Sequence, residues 1–298
     1  MSQDHVYNFY RPGLKDQPDR TCDYVPEIDG KELDFGDTLG KGAVGQVIEL
    51  CEDHGDYLGD CEYIMKTQPI KTGRRINQDA QQEFQVNTYL DEKGFDRMPS
   101  IEFTYDCTKD SGKKVSVMIF EKYDKTITEL LSPLNPDLNL DTFADMLQQI
   151  IDTLTDLHSY EVYHIDGHTE NYMYKYSTNK YVLVDFGRSV FKSELRDSSN
   201  YTYYEKFDFT SIYLEVITTL TENFTDEGYS VHDEELDQYI RMIMDTFRPY
   251  ILFMTDRRYI SKSRQSDLRL LSQEFDWRIQ RYRDTKPKRS VYEVLSVV

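Results

Sequence analysis

The stretch Tyr163–Gly187, YHIDGHTENYMYKYSTNKYVLVDFG, decides how the rest of the chain is read. His164, Asp166 and His168 open it, with Asn171 shortly after. An apolar run, Tyr181–Val184, follows a turn at Asn179 and ends in Asp185-Phe186-Gly187. The acids Asp166 and Asp185 therefore fall on loops at strand ends, where a rigid scaffold can aim them. Phosphoryl transfer asks for such parts. One carboxylate meets the hydroxyl proton of the nucleophile, while a second carboxylate and a side-chain oxygen hold Mg²⁺ against the phosphates. A metal cluster on His164, Asp166 and His168 is the competing reading, because alternate strand residues share a face. It needs further ligands and leaves Asn171 and Asp185-Phe186-Gly187 unexplained. Asp-Phe-Gly alone is a weak signal, since many strands end in a turn with Asp and Gly. The two motifs in order, joined by a strand–turn–strand piece, are a strong one.

The arrangement resembles the catalytic and metal-binding loops of the protein kinase family. The family's loop reads H-R-D-x-K-x-x-N. Here it reads His164-Ile165-Asp166-Gly167-His168-Thr169-Glu170-Asn171, with Ile165 in place of Arg and His168 in place of Lys. The His is similar to that of haspin-type kinases and of aminoglycoside and choline phosphotransferases, so the departure leaves the substrate class open. The resemblance implies an α+β fold of two lobes, a small β-rich N-lobe and a larger helical C-lobe. It implies ATP and Mg²⁺, with Asp166 as catalytic base, Asn171 and Asp185 on the metal, and His168 approaching the γ-phosphate.

Composition bounds the rest. A chain of 298 residues, 30% charged and 39% hydrophobic, is globular in character and long enough for one bilobal domain or two small ones. No apolar run approaches a membrane span and MSQDHVYNFYRPG lacks an apolar signal region, so a soluble, intracellular protein, cytoplasmic or nuclear, is expected. Cys22, Cys51, Cys61 and Cys107 show no C-x-x-C pairing and are expected as free thiols in a reducing compartment, without zinc. A net charge of −19 argues against a large nucleic-acid interface, which needs clustered Lys and Arg, and is compatible with a basic protein substrate. The short basic run Lys286-Pro287-Lys288-Arg289 reads as a solvated tail.

Read in order, residues 1–30 are polar with scattered prolines, an extension without a core of its own, and 31–298 form the kinase-like domain. Its N-lobe covers about 31–122 and its C-lobe about 123–298. Gly40-Lys41-Gly42-Ala43-Val44-Gly45, followed by Val47, lies between two strand-like pieces. Glycines let a hairpin backbone approach phosphate oxygens, and the alternating Gln46–Leu50 after them argues against the helix of dinucleotide folds. By the resemblance this is the phosphate lid, with Val47 over the adenine. Lys66 ends the apolar strand Glu62-Tyr63-Ile64-Met65 and fits the phosphate-holding lysine, with Lys71 as fallback. Asn77–Leu90 reads as a helix, in which Glu83, or less well Glu92, would pair with Lys66. Ser100–Tyr105 and Val115–Phe120 read as antiparallel strands. In the link Glu121–Asp124 the backbone of Glu121 and Tyr123 would meet the adenine edge.

Asp141–His158 is the clearest helix, with Phe143, Met146, Leu147, Ile150, Ile151, Leu154 and Leu157 on one face. Beyond Gly187, Arg188–Lys206 reads as a short polar segment with no Ala-Pro-Glu to close it. A helix is expected from Phe207, with Asp208 similar to the family's buried aspartate or else an ordinary N-cap. Glu234–Phe247 and Leu268–Tyr282 read as amphipathic helices with Tyr239, Ile243, Leu271 and Phe275 in the core. The expected activity is ATP-dependent transfer to a protein Ser/Thr hydroxyl, resembling haspin-like or large-DNA-virus kinases. The alternatives are a small-molecule phosphotransferase of the aminoglycoside or choline kinase type, and a non-catalytic binding module on the same fold.

Overall fold

The computed structural model describes residues 20–22, 24–42, 45–69, 78–132, 134–195, 198–226 and 233–251. The chain forms two compact units. The first takes the chain through Tyr123 together with Asp185–Arg188, and the second takes Asp124–Val184 and the chain from Ser189.

The first unit is a six-stranded sheet. Its strands are β1 (Arg20–Thr21), β2 (Leu33–Gly42), β3 (Gly45–Glu52), β4 (Tyr63–Pro69), β5 (Ile101–Thr108) and β6 (Lys114–Glu121), in the order β1-β5-β6-β4-β3-β2. All pairings are antiparallel except β1 with β5. Alternation along β4 buries Tyr63, Met65 and Thr67 and leaves Lys66 partly exposed between them. Ile28, Leu50, Tyr63, Met65, Tyr105, Val115, Val117 and Ile119 form one apolar core, each such side chain contributing about 1.5–3 kcal/mol by leaving water. One helix, α1 (Gln78–Lys93), crosses between β4 and β5 in the chain and packs on the short turn Phe186–Arg188.

The four cysteines are not free thiols, which corrects the expectation above. Cys22 is bonded to Cys107 and Cys51 to Cys61. The pairing follows from strand neighbours that the sequence does not place together. β1 lies alongside β5 with Thr21 opposite Thr108, which brings Cys22 to Cys107. Cys51 is the next-to-last residue of β3, before the turn that leads to β4, and Cys61 lies at the far side of that turn. Residues 20–22 and 24–30 are accordingly stitched to the sheet. Tyr24 accepts a hydrogen bond from the Tyr105 hydroxyl at its carbonyl, and Ile28 joins the core.

The second unit is mainly helical. Two small pieces open it, β7 (Lys125–Thr126) and α2 (Ile127–Leu130), the latter started by a Thr126–Glu129 capping box. α3 (Leu140–Ser159) starts at a second such box, where the Asn139 side chain accepts from the Asp141 and Thr142 N–H groups. All seven apolar positions read from its sequence are buried. After it come β8 (Val162–Tyr163), the hairpin β9 (Tyr172–Lys175) and β10 (Lys180–Leu183), and β11 (Val190–Phe191), which pairs with β8. Asn179 turns the hairpin at φ 51°. Two long helices follow, α4 (Ser198–Asp226) and α5 (Asp233–Ile251), with Tyr239 and Ile243 buried on α5. α4 begins at Ser198 rather than Phe207, because its first turns are packed aromatics, with Tyr204 stacked on Tyr163 at 5.8 Å and Tyr203 beside Phe207. Leu271, Phe275 and the basic run at 286–289 lie outside the described residues. No described helix is long and apolar enough to cross a membrane.

Candidate active site

The reactive groups of the first unit are built on β4. Lys66 and Gln68, two apart on one strand, turn to the same face, and both meet Glu83 of α1. Lys66 Nζ donates to Glu83 Oε1 at 2.7 Å and lies 3.3 Å from Asp185 Oδ1, while Gln68 Nε2 donates to the other Glu83 oxygen. Glu83 is 2% exposed and Asp185 45%, so the lysine joins a buried carboxylate to an accessible one. Burial works against the Lys66 charge, but Glu83 and Asp185 outweigh it and raise its pKa above the ordinary lysine value. Burial also pushes Glu83 upward, against the pull of Lys66. Asp185 holds φ at 63°, a left-handed conformation that costs energy for a residue with a Cβ and marks functional turns.

Val47 stands directly across from Lys66 in the β3–β4 register. Gly45 is a glycine for packing: a Cβ there would come 2.0 Å from the Thr67 carbonyl oxygen. An ideal Cβ on Gly40 would meet nothing within 4 Å, which leaves open space above that backbone. Lys41 is exposed, and Gly42 closes the pairing opposite Gly45. Ala43 and Val44 lie outside the described residues, as does Lys71. At the end of β6, the Glu121 N–H donates to the Ser100 carbonyl and the Lys122 N–H to Glu62. Tyr123 is buried, and burial together with Glu121 pushes its phenol upward. Glu92, the weaker choice for the lysine's partner, is exposed.

The reactive groups of the second unit lie on a loop laid on α4. Asp208 is 1% exposed and sits within α4, ten residues past its start, so it is no N-cap. Its carboxylate accepts the backbone N–H of His164 at 2.9 Å and of Ile165 at 2.6 Å, and meets His158 Nε2 at 2.9 Å. These bonds hold Ile165 at φ 55°, where a β-branched residue is strongly disfavoured. Gly167 lies flush against α4: a Cβ there would come 2.7 Å from the Ser211 Cβ and 2.9 Å from the Ile212 N. Asn171 Nδ2 donates to the Asp166 carbonyl at 2.9 Å and approaches its carboxylate at 3.4 Å. That contact fixes the amide and turns its oxygen the other way. His168 Nε2 lies 3.4 Å from Asp166 Oδ1.

Lys66, Glu83 and Asp185 thus converge in one unit, and Asp166, His168 and Asn171 in the other. Two further residues, Gln68 and Glu215, join these groups without having been singled out in the sequence. Strand alternation from Lys66 would have pointed to Gln68; Glu215 carries no local signal, because its place depends on how α4 lies along the loop. No curated protein matches the chain. The family model for the protein kinase domain matches residues 33–244, more than half of the 298 residues and a span that takes in every group described above. With this span carrying a lysine–glutamate pair, a loop aspartate with its asparagine and a second aspartate before Phe186-Gly187, the chain belongs to the protein kinase family, whose chemistry is phosphoryl transfer.

Proposed function

We propose that the chain transfers the γ-phosphoryl group of ATP to a Ser or Thr hydroxyl of a protein. The observation that carries this reading is Lys66, clasped between Glu83 and Asp185 at 2.7 and 3.3 Å. Glu83 holds the ammonium in place to meet phosphate oxygens, and the second carboxylate, Asp185, leaves negative charge for a cation to balance. Asp166 accepts the acceptor's hydroxyl proton as the oxygen attacks, and His168 donates to phosphate oxygen. Gly40, Lys41, Gly42, Ala43, Val44, Gly45 and Val47 cover the nucleotide, and the backbone of Glu121 and Tyr123 meets the adenine edge.

The donor set fits Mg²⁺. Asp185 offers an accessible carboxylate and Asn171 an amide oxygen turned away from its hydrogen-bonded nitrogen, both hard oxygen ligands of the kind Mg²⁺ prefers. The ion when bound neutralises phosphate charge. We further propose residues 31–298 as one kinase-like domain, with 1–30 an extension fastened to it by the Cys22–Cys107 bridge. The net charge of −19 suits a basic acceptor and disfavours nucleic acid. Two bridges and no described free cysteine suit an oxidising setting, so the cysteines no longer argue for a reducing compartment.

The test is incubation with labelled ATP, Mg²⁺ and three acceptors: a basic protein mixture, aminoglycosides and choline. Label on protein Ser or Thr, mapped by mass spectrometry, is the expected result. Transfer to a small molecule alone would assign the second class instead. No turnover with any acceptor or with water would leave a nucleotide-binding module.

A further inference from the structure

We infer that Glu215 of α4 is a positioning residue for phosphoryl transfer, holding the His168 ring beside Asp166; the inference rests on the reading of Asp166 as base given above. The ground for it is the way α4 follows the catalytic loop. Asp208 takes the N–H groups of His164 and Ile165. Ser211 and Ile212, one turn on, abut Gly167. Glu215 Oε2, the next turn, lies 3.7 Å from His168 Nδ1. Thr219, one turn further, meets the Thr169 hydroxyl at 3.1 Å. Each step is three or four residues, the spacing that keeps side chains on one helical face. Loop and helix therefore run side by side in fixed register, and the close approach at Gly167 keeps the loop from sliding.

Within that register the His168 ring lies between two carboxylates, Asp166 at Nε2 and Glu215 at Nδ1. The ring is 55% exposed, so packing does not decide its orientation. A half-turn about χ2 would exchange the nitrogen-bearing edge for a carbon-bearing one at Asp166, and this terminal torsion has a broad, shallow profile. Glu215, 25% exposed and carried on a long helix, selects the orientation. With a proton on each nitrogen the ring serves both carboxylates; with one proton it serves only one of them. Glu215 thus keeps the Nε2 edge turned to the atoms that react, without touching them itself.

The test compares Glu215→Ala, Glu215→Gln, His168→Ala and the double variant His168→Ala/Glu215→Ala by steady-state kinetics and melting. Glu215→Ala is expected to lower kcat about tenfold with the KM for ATP within about twofold, the loss set by a misplaced group rather than an absent one. Glu215→Gln, which keeps an oxygen facing Nδ1, is expected to stay within about twofold of the parent. The double variant is expected to be no slower than His168→Ala, since a residue that acts through another has nothing left to position. Full additivity of the two rate losses, a wild-type rate in Glu215→Ala, or a fall in Tm that accounts for the loss would each overturn the inference. Asp166→Asn separates it from the reading beneath: an active Asp166→Asn removes Asp166 as base. An inactive Asp166→Asn beside a fully active Glu215→Ala removes only Glu215.

Discussion

The two units hold their reactive groups in opposite ways. In the first, side chains hold side chains: Lys66, Glu83, Gln68 and Asp185 form one cluster of charge and amide on a sheet that two disulfides staple. In the second, a side chain holds backbone: Asp208 fixes the loop through the N–H groups of His164 and Ile165, and no cysteine occurs from Asp124 to Val298. Damage should differ accordingly. A charge can be removed from the side-chain cluster and the sheet will stand, whereas removing the buried carboxylate under the loop takes away the acceptor of two backbone donors.

Asp185→Asn probes the first arrangement at its most exposed member and carries the largest expected effect. An amide occupies the same space but brings no charge to the metal. Transfer is expected to fall on the order of 10⁴-fold, while Tm holds or rises because half-exposed Asp185 supports no packing. Wild-type turnover would take Asp185 out of the metal site. The staples come next. In the loop-closure treatment, the Cys22–Cys107 bridge with its separation of 85 residues stabilises by roughly 4.5 kcal/mol, and Cys51–Cys61 with 10 by roughly 3 kcal/mol. Melting with and without reductant measures the sum. Alkylation before reduction, read by mass, should label none of the four cysteines; labelling of all four would restore the free thiols.

Asp208→Ala tests the second arrangement. It removes the acceptor shared by the N–H groups of His164 and Ile165 and by His158, and the expected cost is about 3 kcal/mol, seen as a lowered Tm with activity lost in proportion. An unchanged Tm would mean that the loop is held by something else. Lys66→Met returns to the first unit and should look different. A drop in transfer of about a hundredfold is expected, with ATP binding affected less and Tm moving little. Burial already pushes Glu83 toward its neutral form, so it can take up a proton when the ammonium is gone. A melting loss as large as that of Asp208→Ala would erase the contrast between the units.

What the sequence disclosed follows the same division. Periodicity is a local signal, and it located α3 and β10 to within a residue of their ends, whereas β4 runs three residues past Lys66 to Pro69. Motif order placed Asp166, Asn171 and Asp185, because each is fixed by neighbours in the chain. Disulfide partners, by contrast, are set by sheet order. Cys22 and Cys107 meet through a parallel pairing of a two-residue strand, which leaves no trace in alternation. The start of α4 was hidden because Ser198–Lys206 is rich in Tyr, Ser and Thr, residues of ordinary or poor helix propensity. They are helical here because aromatic packing supplies what propensity lacks, as between Tyr163 and Tyr204.

The displaced start of α4 bears on the smallest expected effect, which is regulation by phosphate. In common protein kinases an Arg before the catalytic aspartate gathers a phosphate on a mobile segment, and that pairing orders the segment. Ile165 occupies the position and offers only a backbone N–H, already given to Asp208. Ser198, Ser199, Tyr201, Thr202, Tyr203 and Tyr204 all lie in the first two turns of α4, so their backbone is ordered without help. The stretch before them is fastened too: β11 pairs with β8, the Lys192 N–H donates to the Glu161 carbonyl, and Lys192 Nζ lies 2.9 Å from the Glu161 carboxylate and 5.2 Å from the Tyr201 ring. A phosphate on Ser198 or Ser199 would meet a helix N-terminus, where negative charge is tolerated rather than disruptive. Among the described residues modification therefore finds no segment left to order, and the enzyme should work at full rate without it. Protein treated with a phosphatase and verified by mass as unmodified is expected to show an initial rate within about twofold of the untreated protein, a margin worth about 0.4 kcal/mol. A lag that shortens as the enzyme phosphorylates itself, and that persists when the six hydroxyl residues are replaced by Ala or Phe, would overturn this. It would also show that the second unit, like the first, depends on charges that side chains bring to it.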